Sequence, residues 1–246
     1  MHGVQQRLPS LRTEPIAFAH RGARAHAPEN TIEAFTLALR LGANGLETDV
    51  WVTSDNEVIL DHDGVARRFA RNRPISELTL AQLPSHIPTL QTFFEKCGTS
   101  FDFSIDIKDE KAFAATVQIA EECNFDLSKL WLCHHKLDVV LSARAAHPDV
   151  RMVDSSRLHR IKEGPERRCA TLAEHGVDVL NMHFSDWNGG LTTLVHKFGV
   201  LAFGWDAQYD YVITDGLRMG LDAVYSDHVD TLVEAYSHEI GHVPKR

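Results

Sequence analysis

No stretch of this 246-residue sequence approaches the roughly 20 consecutive apolar residues needed to span a bilayer, so no membrane span is expected. Residues 1–14, MHGVQQRLPSLRTE, lack the apolar centre of a secretory signal, and a cytoplasmic location is the expectation. There is no C-x-x-C pair. Cys97, Cys123, Cys133 and Cys169 are widely spaced, which favours reduced thiols packed as small apolar groups over a zinc or disulfide framework. There is also no H-x-H pair to suggest a zinc hydrolase. Basic charge is in short supply: 25 Lys and Arg stand against 34 Asp and Glu, for a net charge of −9. Nucleic acid and anionic lipid reward a basic face, so neither is expected as a general partner, although an acidic chain can still hold a local phosphate. No Pro/Gly/Ser-rich linker or low-complexity segment divides the chain. The expectation is one domain over residues 15–240 behind an N-terminal extension, residues 1–14. Nothing in the sequence sets an oligomeric state.

What the chain does contain is a regular alternation. Short apolar, β-rich runs at 15–19, 45–52, 57–61, 101–107, 130–133, 150–154, 177–181, 200–205 and 222–226 predict strands. Helical patterns fall between them at 31–41, 77–83, 89–97, 111–123, 137–147, 165–175, 189–198, 208–220 and 229–238. If the second and third runs form one bent strand, about eight βα units remain. That number in one chain of this length favours a closed (β/α)₈ TIM barrel, single domain, with a short insertion after the second strand. In the first helix Asn30 is expected to cap the free amides, with Glu33 reaching back to it. Ile32, Phe35 and Leu39 make the apolar face, and Gly42 is a left-handed stop. Glu29 reads as part of the preceding turn.

The polar residues at the strand ends carry the chemistry, because such barrels build their sites there. The first strand runs into His20-Arg21-Gly22. On the second, Glu47 and Asp49 are two residues apart, which puts both carboxylates on one face about 6.6 Å apart along the chain. VILDHD then brings His62 to the same mouth, and FSIDIK repeats the two-residue spacing with Asp106 and Lys108. Carboxylates gathered in this way are costly without a cation. Glu47, Asp49 and Asp106 are all-oxygen donors, which suit one divalent cation, Mg²⁺ or Ca²⁺, with Mn²⁺ also compatible. Arg21 and Lys108 would share an anionic substrate with it, Arg21 meeting a phosphate bidentately. Two imidazoles on opposite sides of a phosphorus suit base and acid in an in-line displacement. His134 and His183, at the ends of later strands, are added as substrate-binding candidates.

These residues resemble the glycerophosphodiester phosphodiesterase family: HRG at 20–22, PENT at 28–31, ETD at 47–49, EVILDHD at 57–63, IPTL at 87–90, IDIK at 105–108, FGWDAQ at 203–208 and YSD at 225–227, in order and over nearly the whole chain. The resemblance implies a TIM-barrel phosphodiesterase that hydrolyses small-molecule glycerophosphodiesters to glycerol 3-phosphate and an alcohol. It implies His20 and His62 as the acid/base pair, Glu47, Asp49 and Asp106 as metal ligands, Arg21 and Lys108 as phosphate contacts, and Trp205 at the glycerol end. Attack by water and attack by an adjacent glycerol hydroxyl through a cyclic phosphate both fit the residues. The departures are an Asp where the family usually has Glu at 106, and GVARRFAR after the His-Asp pair, with Arg68 standing in for the usual arginine. Asp206 and Gln208, in WDAQ, are expected to alter contacts to glycerol or to the leaving group. With only residues 63–86 between the His-Asp pair and IPTL, the pocket is expected to be open. The alternatives are a sphingomyelinase-D-like phospholipase D giving a cyclic phosphate, and a barrel that binds phosphodiesters without cleaving them.

Overall fold

Eight parallel strands close into a barrel. In the computed structural model, which describes residues 7–68 and 71–246, the elements alternate as β1 (Ile16–Ala19), α1 (Ile32–Leu41), β2 (Gly45–Val52), β3 (Val58–Leu60), β4 (Val65–Arg68), β5 (Arg71–Pro74), α2 (Leu90–Cys97), β6 (Asp102–Ile107), α3 (Ala112–Glu122), β7 (Leu130–His134), α4 (Leu137–Ala146), β8 (Arg151–Ser156), α5 (Pro165–Glu174), β9 (Val179–His183), α6 (Gly189–Lys197), β10 (Leu201–Trp205), α7 (Asp210–Arg218), β11 (Ala223–Ser226) and α8 (Val229–Ile240). Around the barrel the order is β1, β2, β6, β7, β8, β9, β10, β11, closed by the β11–β1 pairing. Strand β3 is no part of the ring; it lies antiparallel against the end of β2. β4 and β5 form a separate antiparallel hairpin.

Alternation along the strands sorts side chains between two cores. Ile16, Phe18, Trp131, Val153, Val179, Phe203 and Tyr225 fill the barrel interior. Leu46, Val50, Phe103, Ile105, Met152 and Leu180 face the helices. Gly45 sits on the interior side, where a Cβ would stand 2.5 Å from Phe18 Cδ1, so only glycine fits the bottom of that wall. The inward residues of β6 change character with height. Asp102, low in the barrel, accepts from Trp131 Nε1 at 2.8 Å; Ser104 bonds the Tyr225 hydroxyl at 3.1 Å; Asp106 reaches the mouth.

One expected helix changes, and one element was not foreseen. The helix expected over 77–83 is two short 3₁₀ turns, Ile75–Glu77 and Leu80–Gln82, separated by extended Leu78. Pro84, which follows at once, cannot continue a helix. The hairpin was not foreseen: its sequence is largely polar and charged, β5 is exposed throughout, and no Asn-Gly turn marks it. The described part of the N-terminal extension packs against the barrel. Arg12 donates its backbone N–H to Asp222 and approaches Asp102 at 3.7 Å, and Leu8 N–H bonds the Arg218 carbonyl. Residues 1–6 of that extension lie outside the described residues, as does the side chain of Arg68. No described helix is long and apolar enough to cross a membrane.

One buried ion pair ties barrel to helix layer. Asp154 on β8 is fully buried and accepts from Arg168 Nη1 of α5 at 2.7 Å, while Arg168 Nε reaches Glu163 at 2.6 Å. Truncating one partner strands the other charge in the interior. Arg168→Met is expected to cost about 3 kcal/mol in urea unfolding. Adding Asp154→Leu should return most of the loss, and an unchanged midpoint in the single variant would refute the assignment.

Candidate active site

The His-Arg-Gly turn that follows β1 is built by backbone conformation. Arg21 takes a left-handed φ of 52° and Gly22 a φ of 79°. A Cβ on Gly22 would stand 2.7 Å from the Ala34 carbonyl carbon, so glycine lets α1 close onto the turn. The bend aims His20 and Arg21 across the ends of β2 and β6. Arg21 holds its place through three acids: its backbone N–H donates to Glu47 Oε2 at 2.9 Å, Nη1 reaches Glu29 at 3.0 Å, and Nε lies 3.2 Å from Asp49 Oδ2.

A cleft of about 330 Å³ opens at this end of the barrel, lined by His20, Arg21, Glu47, Asp49, His62, Asp106, Lys108 and Trp205 among others. The eight residues expected from the first three strands and the late tryptophan therefore share one cavity. Within it the three carboxylates differ in their partners. Lys108 Nζ lies 2.6 Å from Asp106 and 3.1 Å from Asp49, bridging them. Among the described residues, Glu47 has only the His20 Nε2 edge at 3.8 Å and the backbone of Arg21. Burial pushes the Glu47 carboxyl well above the usual carboxylate range; His20 pulls it down and Asp49 adds to the rise. A buried carboxyl that resists ionising in an all-oxygen cluster fits a hard divalent cation. The group of three potential ligands whose donor atoms all lie within 4.8 Å, among the described residues, is a different one: the exposed His26, His228 and Asp230.

Both imidazoles are oriented by carboxylates. His20 Nδ1 donates to Asp227 Oδ1 at 2.6 Å, which leaves Nε2 toward the cleft. Burial opposes charge on this ring, but Glu47 and Asp227 more than offset it, so His20 titrates above its ordinary value. His62 Nδ1 donates to the exposed Asp63 at 2.8 Å. Asp227 is in turn fixed by Gln208, whose Oε1 accepts the Asp227 backbone N–H at 2.9 Å. Asp227→Asn is expected to lower kcat roughly tenfold, a positioning loss. It should also move the His20 limb of the pH profile to lower pH, because a partner that favours the charged ring has gone. An unshifted limb would detach Asp227 from His20.

Other expectations resolve differently. His134 does not line the cleft. Cys133 faces the interior, so the next residue on β7 turns to the helix layer, where the His134 ring lies near Phe113 and Nδ1 accepts the Lys136 N–H at 3.2 Å. His183 stands one step back from the cleft: its ring meets Trp205 edge-on at 4.7 Å and Nε2 holds Asp206 at 2.9 Å. Asp206 lines the cleft, whereas Gln208 serves the Asp227 loop. Asn30 is not the cap of α1. Thr31 caps it, accepting from the Ala34 N–H, and Asn30 sits at φ 54° with Nδ2 3.4 Å from Asp49 and Oδ1 accepting from Thr48 at 2.8 Å. Glu29 is more than a turn residue, since it holds both Arg21 and Arg24. Cys133 also lines the cleft, and burial pushes its thiol well above the usual range, away from the thiolate a nucleophile needs.

Comparison with known proteins places this geometry in context. The model of the glycerophosphoryl diester phosphodiesterase family matches residues 20–231. A glycerophosphodiester phosphodiesterase of Caldanaerobacter subterraneus subsp. tengcongensis is 26% identical, with 89% of this chain and 96% of that protein aligned. Among solved structures, the glycerophosphodiester phosphodiesterase of Thermotoga maritima superposes with a TM-score of 0.77 at 24% identity, covering 91% of this chain and 99% of the other. An Oleispira antarctica phosphodiesterase, solved with its product sn-glycerol 3-phosphate, superposes with a TM-score of 0.79 at 21% identity, covering 90% and 96%.

Proposed function

Because the chain belongs to the glycerophosphoryl diester phosphodiesterase family, we propose that its cleft hydrolyses glycerophosphodiesters to glycerol 3-phosphate and an alcohol by acid/base catalysis at His20 and His62. The observation that carries this reading is the convergence, in one cleft, of both imidazoles, the Glu47, Asp49 and Asp106 carboxylates, and the Arg21 and Lys108 cations.

Glu47, Asp49 and Asp106 would hold one divalent cation, Mg²⁺ or Ca²⁺, which when bound neutralises charge on the phosphate oxygens. Arg21 and Lys108 orient the diester; Arg21 is pre-set by Glu29 and Asp49, so little side-chain entropy is lost on binding. One imidazole accepts the proton of the attacking water, or of the adjacent glycerol hydroxyl, as the new P–O bond forms. The other protonates the ester oxygen, whose bond to phosphorus breaks as it departs as the alcohol; after attack by the glycerol hydroxyl, water then opens the cyclic phosphate to glycerol 3-phosphate. Asp227 stabilises the His20 imidazolium, whichever of the two roles His20 takes.

The test is incubation of the purified protein with glycerophosphocholine, glycerophosphoglycerol and a lysophospholipid, with Mg²⁺ or Ca²⁺, followed by phosphorus NMR. The reading predicts a glycerol 3-phosphate resonance. A cyclic phosphate as the final product would favour the phospholipase-D-like alternative, and no turnover of any diester with either ion would favour a binding barrel.

A further inference from the structure

Outside the cleft, three side chains from two loops converge on one point of the surface. His26 lies in the loop between β1 and α1, while His228 and Asp230 stand where β11 passes into α8. Their donor atoms all lie within 4.8 Å of one another. His26 Nε2 is 3.0 Å from Asp230 Oδ1, and the His26 and His228 rings meet edge-on with centroids 6.3 Å apart. The backbone sets this convergence. The Ala25 N–H donates to the Asp227 carbonyl at 3.2 Å, which pins one loop to the other, and the His26 N–H turns back to the Ala23 carbonyl at 2.8 Å. On the other side the Leu232 N–H holds the His228 carbonyl at 2.9 Å as α8 begins. His228 is the N-cap residue of α8, yet its side chain makes no capping bond, so the ring is not committed to the helix. An exposed His26–Asp230 pair contributes little by itself and accounts for two of the three residues. The second imidazole brings them to the donor count of a metal site.

We propose that His26, His228 and Asp230 form a second metal site, for a transition-metal dication such as Zn²⁺, which clamps the β1–α1 loop to the β11–α8 loop. Two imidazoles and a carboxylate are a ligand set that zinc takes at about 2.0–2.2 Å, with solvent completing the coordination. Ligands around a tetrahedral ion of that size stand about 3.4 Å apart. The His26–Asp230 pair is already near that spacing, and the rest of the approach asks only for adjustment of exposed side chains. Imidazole donors suit zinc, whereas Mg²⁺ and Ca²⁺ prefer the all-oxygen set of Glu47, Asp49 and Asp106. The two sites therefore sort metals by donor chemistry. The clamped loops also carry residues of the cleft: Asp227, which bonds His20, directly precedes His228, and Arg24, 3.8 Å from Asp227, lies two residues before His26. The ion holds these loops together without touching the reacting phosphate.

Isothermal titration calorimetry of the full-length protein with Zn²⁺, in buffer containing excess Mg²⁺, tests the site. The wild type is expected to bind Zn²⁺, and His26→Asn, His228→Asn and Asp230→Asn should each weaken that binding by at least about tenfold, since each removes a ligand. All three positions are exposed, so the variants should fold, and thermal melts without zinc check this. Hydrogen exchange followed by mass spectrometry locates the ion. Zn²⁺ should slow exchange at residues 23–27 and 227–230 in the wild type but not in His228→Asn. Zinc held with wild-type affinity by all three variants, whether at thiols or in the cleft, overturns the inference. So does an absence of zinc binding in the wild type, or protection that spares both loops.

Discussion

Replacing His20 with alanine is expected to lower kcat for glycerophosphodiester hydrolysis by roughly 10²–10⁴-fold, the range for a positioned acid or base. His62→Ala should lose a similar factor, and both variants should fold, because each ring is partly exposed and neither fills the core. The rings should act as a unit. If one takes a proton as the other gives one, the double variant loses far less than the product of the single losses, and its residual rate reflects charge stabilisation and binding alone. Circular dichroism melts and kcat measured side by side check this. Near-full activity in either single variant would remove that residue from the chemistry. The two sites also differ in a measurable way: the partner of His20 is half-buried Asp227, whereas the partner of His62 is the neighbouring exposed Asp63. Changing Asp63 should therefore matter less than changing Asp227, since a solvated pair contributes little orientation.

Stripping divalent cations from the wild type is expected to reduce turnover by about 10³-fold or more, as several kcal/mol of charge stabilisation is withdrawn. Mg²⁺ or Ca²⁺ should restore it. Glu47→Gln keeps the shape of the side chain and removes its charge, and should weaken cation binding by at least about tenfold in calorimetry. The same change should relieve a buried carboxyl whose ionisation is opposed by burial. The variant is thus expected to be at least as stable as wild type without added metal and less active with it. Loss of stability together with unchanged cation affinity would contradict the role given to Glu47. Lys108 matters here too, because its ammonium sits between Asp49 and Asp106. It brings positive charge to the same two carboxylates that a cation would meet.

Much of this architecture is readable from the chain because its signals are local. Each barrel strand is a short β-rich run, and the two-residue spacing in Glu47-Thr48-Asp49 and Asp106-Ile107-Lys108 places the site residues by parity alone. Parity also contains the answer for His134, since a residue next to interior-facing Cys133 must point outward. What stays hidden is long-range or depends on an unusual backbone. Asp227 meets His20 from 207 positions away along the chain, and nothing near either residue announces the pairing. Asn30 reads as a helix cap from its type and place, but its left-handed φ swings the side chain to Asp49 and leaves the cap to Thr31. Asn181 looks like a polar interruption in an apolar strand until the barrel closes and turns it toward the carboxylates. The β4–β5 hairpin is missed for another reason: it is a short ribbon whose β5 strand is polar and exposed, with little apolar alternation to reveal it.

The central claim is spatial: one phosphorus must be reachable from both imidazoles while its oxygens meet the Glu47, Asp49 and Asp106 cluster. A crystal structure of the protein soaked with Ca²⁺ and sn-glycerol 3-phosphate tests it most directly. The account predicts the cation on those three carboxylates, and the phosphate in contact with Arg21 and Lys108, with His20 Nε2 and His62 on either side of it. A phosphate bound elsewhere, or a cation held at His26, His228 and Asp230 with the carboxylate cluster still bridged by Lys108, would contradict it.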